Sequence, residues 1–314
     1  QHHRPGCPRV MITACIQQVE IPSDRMGLLS DFPGDPSDGH LLQAHLEEHG
    51  YVLLRGALDV EEVVAARAEV FGRLAEMGEV ADPPLEAIAT GISRRPDPAQ
   101  DAGVFWTSVS EGSSLRRLTH GPRINGIMDV VIGETARAFD LIYLRPTTVG
   151  KATGMHYDYP FFAGSGQPMF NAWIPIGDVS IEEGPLVLVE NSNTFRDLID
   201  PFLVVDYAAD RSDKTVQQAA YGGDGQSNPL QLVTDRDTRL LTTDFHAGDL
   251  LIVSMFMMHG SLDNVSPRNR VRLSCDVRFQ PASQPFDDDR YFGNSPRGSK
   301  GGGYADMRGA QPLG

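Results

Sequence analysis

Near its C-terminal end the chain alternates apolar and polar residues: Val271, Leu273, Cys275, Val277 and Phe279 are interleaved with Arg270, Arg272, Ser274, Asp276 and Arg278. A period of two is the signature of a strand with one apolar and one polar face, so a strand is predicted here whose polar side could line a cavity. A second strand is predicted over Gly248–Ser254, running through Met255-Phe-Met-Met258 into His259. Helical periodicity appears upstream. Over Val60 to Met77 it places Val60, Val63, Val64, Ala68, Phe71, Leu74 and Ala75 on one stripe, with Glu62, Glu69, Arg73 and Glu76 opposite. Arg67 interrupts the apolar stripe, so it must reach solvent or find a partner. Another helix is predicted from about Asn125 to Asp140, after a variable region containing Asp82-Pro-Pro84 and a polar Ser108–Ser114 stretch.

These patterns divide the chain into an irregular segment over 1–36, a single domain over 37–281 and a Gly-rich tail over 282–314. Within the domain a strand-rich core is expected from about Leu141, interrupted by a long polar insertion, Asp197–Thr243, with Gly222-Gly-Asp-Gly-Gln-Ser-Asn-Pro229 inside it. Such a connection often acts as a lid.

Candidate chemistry gathers in the strand-rich part. His156 and Asp158 flank Tyr157, and residues two apart on a strand project to the same side. Taken alone, a His-x-Asp arises often by chance, and the remaining histidines stand in no comparable setting. With the distal His259, however, the pair supplies two imidazoles and a carboxylate. That donor set is the facial triad of non-haem iron(II) oxygenases, which leaves adjacent coordination positions open for a cosubstrate and dioxygen. The requirement is that stretches 259 − 156 = 103 residues apart lie side by side. An arginine at the start of the last strand offers a planar fork for a carboxylate. Arg270 and Arg272 share that face, and the residues alone do not choose between them.

His156-x-Asp158, His259-Gly-Ser261 and an arginine eleven residues beyond the distal histidine (270 − 259) resemble the phytanoyl-CoA dioxygenase family of iron(II)- and 2-oxoglutarate-dependent oxygenases. Asp38–Arg55, Trp173-Ile-Pro-Ile176 and Glu182–Val189 are similar to further segments of that family, so the likeness spans roughly 38–280. The resemblance implies a mainly β fold with flanking helices, a double-stranded β-helix or distorted jelly roll of cupin type. It also implies His156, Asp158 and His259 as metal ligands and catalytic centre, and Fe(II) with 2-oxoglutarate and O2 as cosubstrates. Arg270 with Ser261 would clamp the 2-oxo acid, beside Tyr143 and Trp173 as walls of its pocket. The reaction implied is hydroxylation of a small organic molecule with release of succinate and CO2. The Asp158 carboxylate argues against halogenation, since related halogenases lack it. Aromatic residues near the motif (Tyr157, Tyr159, Phe161, Phe162) and upstream (Phe105, Trp106), with His120, could line a substrate pocket or serve equally well as core.

Two other classes stay open: a cupin-like metalloenzyme that does not use 2-oxoglutarate, and a catalytically silent binding protein on the same scaffold. Composition narrows the partners. A formal charge of −15 repels nucleic-acid phosphates, and no apolar run approaches the roughly 20 residues that cross a bilayer. The arginine group Arg94, Arg95, Arg116, Arg117 and Arg123 could meet an anion or pair with nearby acids. Three cysteines, Cys7, Cys15 and Cys275, make no disulfide framework and suit a reducing compartment. The expectation is a cytoplasmic enzyme acting on a small molecule, without nucleic-acid or membrane partners.

Overall fold

The strand predicted over 271–279 forms the backbone of the larger of two stacked sheets. In the computed structural model, which describes residues 14–95, 98–205, 228–299, 303–306 and 311–313, it runs from Arg272 to Pro281 and is buried along its whole length. The strands in chain order are β1 Cys15–Ile16, β2 Val19–Glu20, β3 Met26–Leu28, β4 Tyr51–Leu54, β5 Ala136–Ala138, β6 Tyr143–Thr147, β7 Phe170–Pro175, β8 Leu186–Val189, β9 Leu240–Thr242, β10 Leu250–Ser254, β11 His259–Ser261 and β12 Arg272–Pro281. One sheet has the order β4-β10-β7-β12-β5, with β6 also paired to β12; the other has the order β11-β8-β9-β3. All these pairings are antiparallel except β3 with β9.

Alternation decides which residues go where. On β12 the apolar set Leu273, Cys275, Val277 and Phe279 joins Ala172 and Ile174 of β7 and Leu250 and Ile252 of β10 in a core shared with the helices. The opposite faces, with Trp173, Leu251 and Val253, meet Leu186, Leu188 and Leu241 of the second sheet. That sheet's outer face carries Val187, Val189 and Leu240 against Tyr157, Phe202 and Met258. The fold is therefore a β sandwich with helices covering the larger sheet, as expected for a distorted jelly roll.

The helices are α1 Gly39–His49, α2 Val60–Glu76, α3 Pro98–Ser110, α4 Ser113–His120, α5 Pro122–Ile132, α6 Tyr159–Phe162, α7 Arg196–Leu203 and α8 Pro229–Asp235. Asp38 caps α1 by accepting from the backbone N–H groups of His40 and Leu41, and Gly50 ends it in the left-handed region at φ 77°. Arg67 on α2 takes the second of its two options: it is buried, stacks on Phe71 and donates to the Ile176 and Leu85 carbonyls at 2.8 and 3.1 Å. The helix expected over 125–140 is shorter. Gly133, at φ 86°, stops α5 after Ile132, and β5 begins three residues later.

Several expected boundaries need correction. Residues within the nominally irregular 1–36 form a hairpin, β1–β2, and a strand, β3, that extends the second sheet beside β9. The variable region after α2 holds α3 and α4. The 197–243 segment is not all insertion, because its last residues form β9 between β8 and β3; its Gly222–Pro229 motif lies largely outside the described residues, as does Cys7. In the tail, Tyr291, Phe292 and Tyr304 are buried in the helical core, and Tyr291 donates to the Phe161 carbonyl at 2.6 Å.

Candidate active site

The two histidines predicted to converge do so through the backbone. His156 and His259 form an antiparallel bridge, each donating its N–H to the other's carbonyl at 2.8 and 2.9 Å. This bridge sets the imidazole centroids 4.5 Å apart. The strand around His156 extends no further, so Asp158 reaches the site by a different route from simple alternation. It sits at the N-cap of α6 with helical dihedrals, yet its carboxylate caps no helical N–H and turns inward. There Oδ1 lies 3.4 Å from His156 Nε2, and Oδ2 lies 3.7 Å from His259 Nε2. One ligand atom from each residue falls within 4.8 Å of the others, an arrangement that could hold a metal ion.

The tautomers are set as a metal would require. His156 Nδ1 faces the Gly154 carbonyl at 2.8 Å and His259 Nδ1 faces that of Met257 at 2.9 Å. A carbonyl only accepts, so each Nδ1 carries the proton and each Nε2 presents its lone pair to the centre. Burial pushes the His259 pKa down to about 4, which keeps that imidazole neutral. Burial opposes ionisation of Asp158, but Arg278, then His259 and His156, outweigh it and hold the carboxyl well below its usual range. Gly260, between His259 and Ser261, allows close approach: a Cβ there would lie 2.7 Å from the Thr153 carbonyl oxygen and 2.8 Å from Met155 Sδ.

A cavity opens on one side of the triad, lined by His156, His259, Ser261, Trp173, Arg145 and Arg272 among others. Of the two candidate arginines, Arg272 is the one that reaches it. Arg272 is 2% exposed, and its Nη1 donates to Ser274 Oγ at 2.5 Å while its Nε has no hydrogen-bond partner among the described residues. Burial, reinforced by nearby Arg145, lowers its pKa to about 10. Arg270 precedes the strand, in a bridge to Ile88, and its guanidinium is engaged by Glu183 at 2.7 Å. Arg270, expected to point toward the metal, is paired with this carboxylate and is not among the residues lining the cavity. Ser261 Oγ accepts from Thr153 N–H at 2.7 Å, which leaves its hydroxyl proton free to donate.

The phytanoyl-CoA dioxygenase family model matches residues 46–272, well over half the chain. The chain belongs to that family. It is an iron(II)- and 2-oxoglutarate-dependent dioxygenase, and the donor set fits the metal, with two imidazoles and an ionised carboxylate converging and a buried guanidinium beside them. Two curated relatives are 1-deoxypentalenic acid 11-beta-hydroxylases. That of Streptomyces exfoliatus is 28% identical over 254 residues, covering 78% of this chain and 82% of the relative, and that of Streptomyces arenae is 27% identical over 269 residues with the same coverage. A solved structure of the epimerase SnoN with Fe3+, alpha ketoglutarate and nogalamycin RO shares the fold, at 23% identity and a TM-score of 0.50, covering 80% of this chain and 87% of that one. Among the described residues no helix is long and apolar enough to cross a membrane.

The remaining candidates separate. Trp173 lines the cavity and packs edge-on against Phe245 at 4.7 Å. Tyr143 is not among the lining residues; its ring lies 4.7 Å from the Arg278 guanidinium, and burial raises its pKa to about 12. Phe161 comes within 6.0 Å of the His156 ring, and Phe162 packs on Arg278 at 4.7 Å. Tyr159 stacks on Phe256 and Phe202. Tyr157 points away: it is fully buried in the outer core of the second sheet, donating to the Ser192 carbonyl at 2.9 Å. Phe105 and Trp106 belong to the helical core, where the Arg95 guanidinium lies over both rings. His120 is also structural, with Nε2 2.9 Å from the Phe139 carbonyl.

Sequence reasoning missed three members of the site. Arg145 and Asp276 form a buried pair at 2.7 Å, with Asn171 donating to the same carboxylate. Arg278 meets Asp158 at 2.7 Å. Asp276 and Arg278 were visible as members of the polar face of β12, but nothing in the pattern says how deep along that face the metal ligands lie.

Proposed function

We propose that the chain hydroxylates a small, largely apolar molecule, with His156, Asp158 and His259 holding the iron and Arg272, assisted by Ser261, holding the distal carboxylate of 2-oxoglutarate. The observation carrying this reading is the cavity that His156, His259, Ser261 and Arg272 share, with a buried arginine Nε left without a partner beside the ligand set. When bound, the iron with 2-oxoglutarate and O2 supplies the oxidising chemistry, releasing succinate and CO2.

The chain's own contribution is placement and exclusion of water. The imidazole Nδ1–H groups anchor to the backbone, so the Nε2 lone pairs are fixed before any ligand arrives. Trp173 and Leu186 close the cavity with apolar surface, which strengthens the guanidinium–carboxylate interaction by removing water. Two features favour hydroxylation over halogenation: Asp158 occupies the position a halide would need, and the relatives named above are hydroxylases. The carboxylic acid in their names suggests the first compounds to try. Phe161, beside His156, is the best placed of the aromatic candidates to meet the substrate.

The test is succinate formation from 2-oxoglutarate by the iron-loaded protein in air, with and without a panel of apolar carboxylic acids, 1-deoxypentalenic acid among them, and their neutral analogues. Substrate-stimulated succinate with a product gaining one oxygen atom supports the reading. Absence of 2-oxoglutarate turnover under every condition overturns it in favour of a silent scaffold.

A further inference from the structure

The polar face of β12 places three charged side chains in sequence, Arg272, Asp276 and Arg278, and the last of them touches a metal ligand. Arg278 is 2% exposed. Its Nη2 donates to Asp158 Oδ2 at 2.7 Å, and its guanidinium is flanked by the Tyr143 and Phe162 rings, each 4.7 Å away. Its Nε and Nη1 have no hydrogen-bond partner among the described residues. A buried guanidinium that makes one hydrogen bond is not there to cap the backbone; its principal satisfied contact is the carboxylate that completes the triad. Aromatic rings on either side leave it little freedom to turn away, and they offer cation–π attraction that keeps it in place.

The two oxygens of Asp158 are thereby made unequal. Oδ2 accepts from Arg278 and lies 3.7 Å from His259 Nε2, while Oδ1 makes no contact with Arg278 and faces His156 Nε2 at 3.4 Å. We propose that Arg278 is a positioning residue that reserves Asp158 Oδ2, so that Asp158 binds the ion through Oδ1 alone and the position a second oxygen would take stays open for 2-oxoglutarate. A free carboxylate can ligate through one oxygen or both; one already donating electron density to a guanidinium at 2.7 Å cannot easily add the second. The inference rests on the iron and 2-oxoglutarate reading of the site and adds to it a reason for an arginine where an apolar residue would pack.

The test has two arms that do not depend on turnover. First, the Co(II)-loaded wild-type protein without 2-oxoglutarate is crystallised. Asp158 bound through Oδ1, with Arg278 still on Oδ2, is expected; coordination through both oxygens or through Oδ2 overturns the proposal. This arm needs no variant to fold. Second, Arg278→Gln and Arg278→Lys are titrated anaerobically with 2-oxoglutarate after metal loading, with folding checked by circular dichroism. Arg278→Gln should weaken 2-oxoglutarate binding tenfold or more and change the ligand-field spectrum of the Co(II) form, because Asp158 is then free to chelate. Arg278→Lys, which retains a cation donor, should stay within about threefold of wild type. A folded Arg278→Gln protein with wild-type 2-oxoglutarate affinity and an unchanged spectrum overturns the assignment. Failure of the wild-type protein itself to bind metal or 2-oxoglutarate would instead sink the underlying functional reading.

Discussion

Replacing Arg272 and Arg270 one at a time separates the two ways of closing the cosubstrate site. In the free protein the Arg272 guanidinium is under electrostatic stress. It is buried beside Arg145, and its pKa falls from 12.5 to about 10. At 1.36 kcal/mol per unit that difference corresponds to about 3 kcal/mol by which its charged form is disfavoured. A carboxylate bound at the unpartnered Nε would relieve this stress and add charge-assisted hydrogen bonds. Truncating one partner of a buried charged pair costs about 2–5 kcal/mol, so Arg272→Ala should weaken 2-oxoglutarate binding by about 30-fold to 4,000-fold, at 1.4 kcal/mol per factor of ten. Arg270→Ala should behave differently. It strips Glu183 of its partner at 2.7 Å and so should lower the denaturation midpoint, while leaving 2-oxoglutarate affinity within about threefold. The assay is an anaerobic titration of each metal-loaded protein with 2-oxoglutarate, followed calorimetrically, with a urea unfolding curve run in parallel. The reverse order, with affinity lost in Arg270→Ala and kept in Arg272→Ala, would refute the reasoning and restore the family spacing as the better guide.

Three further perturbations probe the scaffold. His120 is held neutral by burial and by Arg116, its pKa lowered to about 4; because the unfolded chain takes up a proton near pH 6.5 that the native residue refuses, its contribution is complete above pH 6.5 and is lost as the pH falls toward 4. The loss should amount to at most about 3 kcal/mol, since the ring is partly exposed, and His120→Gln should flatten that part of a stability-versus-pH curve measured in urea. Arg67→Met removes the donor to the Ile176 and Leu85 carbonyls and should cost about 2–4 kcal/mol in equilibrium unfolding, with an unchanged midpoint contradicting its structural role. Gly260→Ala drives a methyl against the Thr153 carbonyl and Met155 Sδ, so β11 must shift and Co(II) affinity should fall at least tenfold by competition with a chelator; retention of wild-type affinity would mean that the His156–His259 bridge tolerates the displacement.

Much of the site was legible because its residues obey simple periodicities. His259 does follow the predicted strand β10, although it is β11, in the other sheet, that bridges to His156, and the alternation of β12 divides core from cavity. The choice between Arg270 and Arg272 was not legible: both have the right parity, and what separates them is the start of the strand at Arg272 and a carboxylate, Glu183, that is 87 residues away in sequence. The carbonyls that orient the imidazoles belong to Gly154 and Met257, and any residue supplies a carbonyl, so no side-chain pattern could announce them. Helix α4 escaped notice because Ser113–His120 offers only Leu115, Leu118 and Thr119 to the core, too short a stripe to stand out from a polar stretch. Tyr157 shows the converse: proximity to the metal motif suggested a pocket residue, while the turn into α6 sends its ring to the outer core of the second sheet.

The central claim is that His156, Asp158 and His259 form one ferrous site to which 2-oxoglutarate chelates. Stepwise anaerobic addition of Fe(II) and then 2-oxoglutarate, monitored for the visible charge-transfer absorption of the chelated 2-oxo acid, tests it most directly. The account predicts a band that needs both additions, saturates at one equivalent of iron per chain and disappears in Asp158→Ala. A band that survives that substitution, or none at all in the folded wild-type protein, would contradict it.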